Sequence, residues 1–216
     1  MQNKFIIPLA VLFFIIIFNG CIDEPLAPYS VPNPIQPLAV GNEWIFTDSV
    51  FVMDGVSVGT TRIIVSGVTL VSSGQLFFDW QVYGENTLLR TNLISTDEKS
   101  LWHHGEVVNA ETLLVKKQWS KYPVNIGDTF TEPRYSYSAA DGFSYTETWT
   151  WKCISKNYPV TLAGGQKINC IAFQTTDFSG AETTILYAEN IGYAGWITKV
   201  NGVLVFKETL ASYTLK

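Results

Sequence analysis

From Trp44 to the carboxyl end, apolar and polar residues alternate in short runs separated by turn residues. The clearest run is "FSYTETWTWKC", residues 143–153. Phe143, Tyr145, Trp149, Trp151 and Cys153 fall on one face; Ser144, Thr146, Thr148, Thr150 and Lys152 fall on the other. A period of two in aromatic and β-branched residues is the signature of a half-buried strand. Glu147 interrupts the apolar face. "LFFDWQVY", residues 76–83, repeats the pattern with Leu76, Phe78, Trp80 and Val82 on one side. Turn signals punctuate the runs at Asp54-Gly55, Ser73-Gly74, Gly84-Glu85-Asn86, Asp141-Gly142, Gly164-Gly165 and Asn201-Gly202. Asp-Gly and Asn-Gly are strong hairpin formers because their residues tolerate positive φ. The nearest approach to a helical period is "NAETLLVKKQW", residues 109–119, whose Val, Leu and Trp content leaves helix and strand both open. The pattern predicts an all-β domain, an antiparallel meander of roughly ten strands.

The first forty residues break this pattern. Lys4 precedes an apolar run from Phe5 to Phe18. That run is shorter than the ~20 residues needed to cross a bilayer and fits the apolar core of a secretory signal helix. It closes on Phe18-Asn19-Gly20-Cys21, which resembles the lipobox of bacterial lipoproteins, although Leu is customary at the position of Phe18 and Ser or Ala at that of Asn19. The resemblance implies a signal peptide over residues 1–20, cleaved before Cys21, and a diacylglycerol thioether on Cys21 with an acylated amine. Such an anchor is effectively permanent, because each buried methylene contributes ~0.8 kcal/mol and a single acyl chain alone holds only weakly. Pro25, Pro28, Pro32, Pro34 and Pro37 follow. Proline fixes φ and removes donors, so residues 21–37 read as a semi-rigid, polyproline-like tether. Asp23 and Glu24 resemble the acidic surface-export address of some Gram-negative lipoproteins; solvated tether charges are the alternative. Residues 38–216 remain for the domain.

Charge narrows the partners. The chain has 14 basic and 19 acidic side chains and a formal charge of −5, with no basic run. Nucleic acid is excluded as a partner, since phosphate contacts need clustered Lys and Arg. The lipid rather than charge holds the protein to its membrane. Cys153 and Cys170 flank a turn-forming segment containing Pro159, Gly164 and Gly165. In an oxidising envelope the pair predicts a disulfide across a hairpin, with two buried thiols as the alternative.

Two segments echo each other. "PLAVGNEW" begins at Pro37 and "PVNIGDTF" at Pro123, both running Pro-x-x-(Val/Ile)-Gly-(Asn/Asp)-x-aromatic. In each, proline ends the incoming chain, the glycine turns it and the aromatic starts a strand. The echo suggests two similar halves, 38–122 and 123–216. These landmarks resemble those of uncharacterised bacterial lipoproteins. A Pro-Leu-x-x-Gly-Asn-x-Trp segment is matched by Pro37, Leu38, Gly41, Asn42 and Trp44. A Val-Gly-Asp-x-Trp segment is matched by Ile126, Gly127, Asp128 and Phe130. A Val-Thr-x-Pro-Ala-Gly-x-Phe-x-Cys segment is matched loosely by Val160, Thr161, Ala163, Gly164 and Cys170. A Tyr-Ala-x-x-Val-Gly segment ahead of a Lys is matched by Tyr187, Ala188, Ile191, Gly192 and Lys199. The family has no assigned activity. Its shape is similar to the outer-membrane lipoprotein carrier superfamily, whose curved, partly open sheets shelter acyl chains. The resemblance implies a strongly curved sheet or half-open barrel following the signal helix.

Candidate chemistry is sparse. "GVSVG", residues 55–59, matches the nucleophile elbow of serine hydrolases, but it leads into a strand rather than a helix, so it reads as a hairpin. His103 and His104 are the only histidines and, being adjacent on a strand, face opposite ways. No metal-ligand spacing accompanies them. Glu147 among Tyr145, Trp149 and Trp151 is the candidate polar group of an apolar ligand cavity; pairing with Arg134 is the bland reading. The sequence thus predicts a non-enzymatic, lipid-anchored protein of the cell envelope, on the outer membrane. It has no catalytic residue or cofactor, and it binds an apolar ligand such as a lipid, or an envelope protein. A structural lipoprotein without a cavity, and a hydrolase using Glu147 or His104, are the alternatives.

Overall fold

The computed structural model describes residues 35–108, 111–138 and 142–216; Cys21, the signal segment and most of the tether lie outside them. Twelve strands follow one another: β1 Glu43–Val52, β2 Gly55–Leu70, β3 Leu76–Gly84, β4 Thr87–Thr96, β5 Ser100–Val108 and β6 Glu111–Lys121. Then come β7 Thr129–Ser138, β8 Gly142–Thr161, β9 Lys167–Thr176, β10 Ala181–Ala188, β11 Gly192–Val200 and β12 Val203–Thr214. Among the described residues there is no helix. Of the ambiguous segment 109–119, residues 111–119 lie in strand β6, where the ladder with β5 overrides the weak helical pattern; residues 109 and 110 lie outside the described residues.

The strands form one antiparallel sheet in the order β6-β5-β4-β3-β2-β1-β12-β11-β10-β9-β8-β7. The sheet curls into a nearly closed barrel whose edge strands, β6 and β7, are not joined by a ladder. Every ladder except β1–β12 joins strands adjacent in sequence. Hairpins close where the turn chemistry predicts. Glu85 and Asn86 adopt φ of 47° and 72°, and Asn201 and Gly202 adopt 52° and 78°. Left-handed pairs of this kind match the twist of the strands they join. Asp177 builds another turn, its Oδ1 accepting hydrogen bonds from the Ser179 amide at 2.8 Å and the Ala181 amide at 3.0 Å.

The two echoing segments make the same turn. Gly41 N donates to Val65 O and Gly127 N to Cys153 O, both at 2.8 Å. Val65 N donates back to Asn42 O, and Cys153 N to Asp128 O, both at 2.9 Å. The two glycines have φ of 94° and 95°, a region that a Cβ disfavours. Trp44 then starts β1 and Phe130 starts β7, both pointing into the core.

The core fills this end of the barrel. Trp44 stacks on Trp80 at 5.1 Å, and Phe130 meets Phe173 edge-on at 5.3 Å. Ile35 and Gln36 are fully buried here, so the packed region includes two residues that the sequence reading assigns to the tether. A second, smaller cluster of Val71, Phe77 and Leu93 packs apart from the main core.

The predicted Cys153–Cys170 disulfide is absent: both are buried free thiols. Cys153 stands opposite Phe173, and Cys170 opposite Tyr158. The tight turn centres on Ala163–Gly165, nearer to Cys170 than to Cys153, and β8 bulges twice between Cys153 and Tyr158, the residue opposite Cys170. The cysteines are thus offset along the hairpin, and bridging requires Cα atoms within about 7 Å and converging Cβ vectors. Burial pushes the Cys170 thiol up to about 12.

Asn42 ties Lys216 and the incoming Pro37 to this core. Its Oδ1 accepts from the Lys216 amide at 2.7 Å, and its Nδ2 donates to Pro37 O at 3.0 Å. Replacing it with alanine removes the partner of two partly buried backbone groups. Asn42→Ala is expected to lower unfolding free energy by about 2 kcal/mol, read as a drop in urea midpoint at unchanged m-value.

Candidate functional site

The barrel encloses a lumen of about 420 Å³. Its wall changes character along the axis. Toward the core end it is lined by Trp80, Leu101, Trp151, Ile185 and Tyr187, all buried. Toward the other end, where the β3–β4, β5–β6 and β11–β12 hairpins turn, it is lined by Arg90, Glu106, Arg134 and Phe206. The Arg134 and Glu106 side chains are about a third exposed, and Arg90 is exposed. The lumen is therefore a cup with an aromatic floor and a charged mouth.

Glu132 is the most buried charge in the cup, 3% exposed. Alternation from Phe130 along β7 brings Glu132 and Arg134 to the inner face. Glu132 Oε1 accepts from Arg134 at 3.0 Å and lies 3.5 Å from Lys117 Nζ; Oε2 accepts from the Trp151 indole N–H at 2.9 Å. A buried carboxylate needs such a set of partners to offset its lost hydration. Burial lowers the Lys117 pKa, and Glu132 opposes that shift. Lys117 sits on β6 and Glu132 on β7, so this ion pair bridges the seam that no ladder closes. The Tyr187 hydroxyl also crosses to β6, donating to Trp119 O at 3.3 Å.

A second polar group lies on β11 and β12. The Tyr193 hydroxyl donates to Glu208. Glu208 stands opposite Asp48 in the β1–β12 ladder, and Thr61 donates to Asp48 Oδ2 at 2.6 Å. Burial, with the nearby Asp48 charge, raises the Glu208 pKa to about 7, against the Tyr193 hydrogen bond and Arg90. Arg90 itself makes no hydrogen bond or ion pair among the described residues.

The sequence-predicted site residues are only partly gathered here. Trp151 lines the lumen. Trp149 stands behind it at 5.8 Å, with the Arg134 guanidinium 4.1 Å from its ring. Glu147 is half-buried and stands opposite Arg134 in the β7–β8 ladder, but the Arg134 guanidinium bonds Glu132 instead. Tyr145 stands opposite Tyr135, and its side chain lies outside the described set. Ser57 of "GVSVG" sits within β2 opposite Val50, in a hairpin rather than an elbow. The histidines face opposite ways. His104 stacks on Phe77 at 4.2 Å with Nε2 2.8 Å from Ser95 Oγ, away from the lumen. Its pKa is lowered to about 4, chiefly by burial, which makes it a weak base at neutral pH. His103 points inward and stacks on Trp119 at 4.6 Å. Glu132, Glu208 and Arg90 escaped the sequence reading, and Arg134 entered it only as a partner for Glu147. Alternation in "TFTEPR" places Glu132 beside Phe130, a legible signal; the meeting of β6, β7 and β8 around it is not.

No protein-family model and no curated protein matches the chain. Among solved structures, it is similar to a protein assigned as exported, with a YmcC-like fold, from Bacteroides fragilis. The identity is 11% and the TM-score 0.51, over 84% of this chain and 99% of that one. It is also similar to a protein assigned as a lipoprotein from Parabacteroides distasonis, at 13% identity and a TM-score of 0.49, over 83% and 98% of the two chains. At such identity the first likeness is one of fold.

His103 gives the site a pH signature. Burial, then Lys117, lowers its pKa to about 3. Above pH 6.5 the ring is neutral both folded and unfolded. As pH falls below 6.5, the unfolded chain takes up a proton that the folded one refuses, so stability falls. Between pH 7 and 4.5 the wild type is expected to lose about 2 kcal/mol that a His103→Phe variant retains, measured by urea unfolding at both pH values.

Proposed function

We propose that the chain is a non-enzymatic lipoprotein of the bacterial cell envelope whose barrel is a cup for a small amphiphilic anion. In this reading Cys21 carries the acyl anchor, the chain from Cys21 up to the buried Ile35 forms the arm, and the outer membrane is the seat. The lipobox resemblance supports the anchor, and the exported assignment of the fold neighbour agrees with it. The observation that carries the ligand reading is the cup itself. Its volume of about 420 Å³ falls within the ~300–1,000 Å³ of small-molecule sites. Aromatic rings floor it, while Glu132 engages both Lys117 and Arg134 within the protein. Arg90 is left as a cation at the mouth with its donors uncommitted among the described residues. An apolar body on the floor and an acidic head at Arg90 would satisfy both regions. A purely apolar ligand would leave the Arg90 donors unused, so the apolar ligand expected from the sequence gives way to an amphiphile.

The test uses two fluorescent naphthalenes of similar size on the chain from Ile22 to Lys216, which keeps every described residue. 1-Anilinonaphthalene-8-sulfonate is anionic; N-phenyl-1-naphthylamine is neutral. Saturable one-to-one binding of both is expected. Arg90→Gln should weaken the sulfonate at least about tenfold, the scale of one charge-assisted hydrogen bond, and leave the neutral probe unchanged. Absence of saturable binding for either probe overturns the cup. Equal affinity of the sulfonate for wild type and variant overturns the role of Arg90.

A further inference from the structure

The mouth of the cup is ringed by exposed apolar side chains. Met53 is fully exposed and Phe178 90% exposed; Val52, Val58, Leu89 and Val203 are each more than 60% exposed. They come from four hairpins far apart in sequence, β1–β2, β3–β4, β9–β10 and β11–β12, all of which turn at the same end of the barrel. The β1–β2 hairpin extends past the ladders on either side of it. Its ladder with β12 ends at Val50 and its ladder with β3 at Thr61, leaving the tip paired only to itself. This tip contains "GVSVG", and between Ser49 and Gly59 its sole ionisable side chain is Asp54. Isolated exposed apolar residues are ordinary, but a ring of them around an opening marks an interaction surface.

We propose that this rim docks on a zwitterionic lipid surface, mouth down, so that the cup opens toward the bilayer. Three observations favour lipid over a protein partner. First, tips from four separate hairpins present a discontinuous ring, which suits a plane of hydrocarbon better than a groove for a peptide or helix. Second, the turns on this rim carry Asp54, Glu85 and Asp177 with no cationic cluster, so the attraction is apolar rather than electrostatic. Third, the arm has the reach. The packed chain starts at Ile35, at the closed end of the barrel. β2 has 16 residues, about 50 Å of strand and about 40 Å along a tilted barrel axis. Residues 22–34 can span about 40 Å when extended. An acyl group on Cys21 and the rim can therefore rest on one membrane. The inference rests on the proposed anchor for its geometry, but not on the identity of the ligand.

The experiment is flotation of the unacylated chain, Ile22 to Lys216, with phosphatidylcholine vesicles. Wild type is expected to float, equally well in low and high salt. A Val52→Asp/Phe178→Asp double variant should partition at least about tenfold less, as apolar area governs interfacial binding. The variant must keep its urea midpoint and its binding of N-phenyl-1-naphthylamine, which shows fold and cup intact. Wild type that stays with the soluble fraction, or a variant that floats equally, overturns the proposal. So does a wild type that runs as a dimer on gel filtration where the variant runs as a monomer, since a second copy then covers the rim. Loss of probe binding with retained flotation would instead count against the cup and leave the docking face standing.

Discussion

The ladder between β1 and β12 is the constraint on which the rest of this barrel depends. Every other ladder joins neighbours in sequence and closes through a short turn, with little entropy to overcome. β1 and β12 lie at opposite ends of the described chain, with Trp44 opposite Tyr213 and Asp48 opposite Glu208. Without this ladder the chain would be two separate six-stranded meanders, each with an unburied inner face. The contacts around it reflect that demand. Asn42 bonds the last residue, Trp44 donates to Ile191 O at 2.6 Å, and Phe46 packs on Tyr193 at 5.1 Å. Gly195 completes the arrangement: a Cβ there would meet Glu208 O at 2.5 Å, so the close approach of β11 to β12 requires glycine. That approach brings Tyr193 to Glu208.

The opposite junction, between β6 and β7, is held differently. Proline at 133 and lysines at 116 and 117 are residues that edge strands carry to avoid pairing. Side chains reach across in place of a ladder: Lys117 to Glu132, and Tyr187 to the Trp119 carbonyl. A buried ion pair is weak as a source of stability, because desolvation offsets much of the attraction. It is directional, however, and its geometry fixes where the two edges meet. The same charges keep the lumen from filling with apolar side chains, so closure of the barrel and preservation of a cup are one device.

Polarity is thus graded along the barrel. The end that holds both described termini is packed with aromatic rings, the middle carries a carboxylate with its partners internally satisfied, and the mouth carries Arg90 and apolar tips. Such a gradient is what an amphiphile would meet on entering tail first from a lipid surface. Neither histidine is set up as a base. The inward histidine is held neutral by burial, and the outward one pairs with Ser95 away from the lumen.

Much of the fold was legible in the sequence, because a strand announces itself locally. Alternation in "FSYTETWTWKC" and "LFFDWQVY" marked β8 and β3, and Asn-Gly and Asp-Gly marked hairpins, since side-chain direction and positive φ are properties of a few adjacent residues. The shared turn at Gly41 and Gly127 was readable for the same reason. Phe77 was not: its burial in a second cluster depends on what covers the other face of β3. Nor was the offset of Cys153 from Cys170, which two bulges in β8 decide. Of the expected cavity, Trp151 lines the lumen, while Glu147 stands beside Arg134 without its guanidinium. The sequence by itself determined the strands, the turns and the tether-like composition of the amino-terminal arm. Only the tertiary structure decided which inward positions share one lumen, because Arg90, Lys117, Glu132 and Glu208 come from four strands whose meeting depends on curvature and closure. Those are set by the whole sheet at once and by no local run of residues.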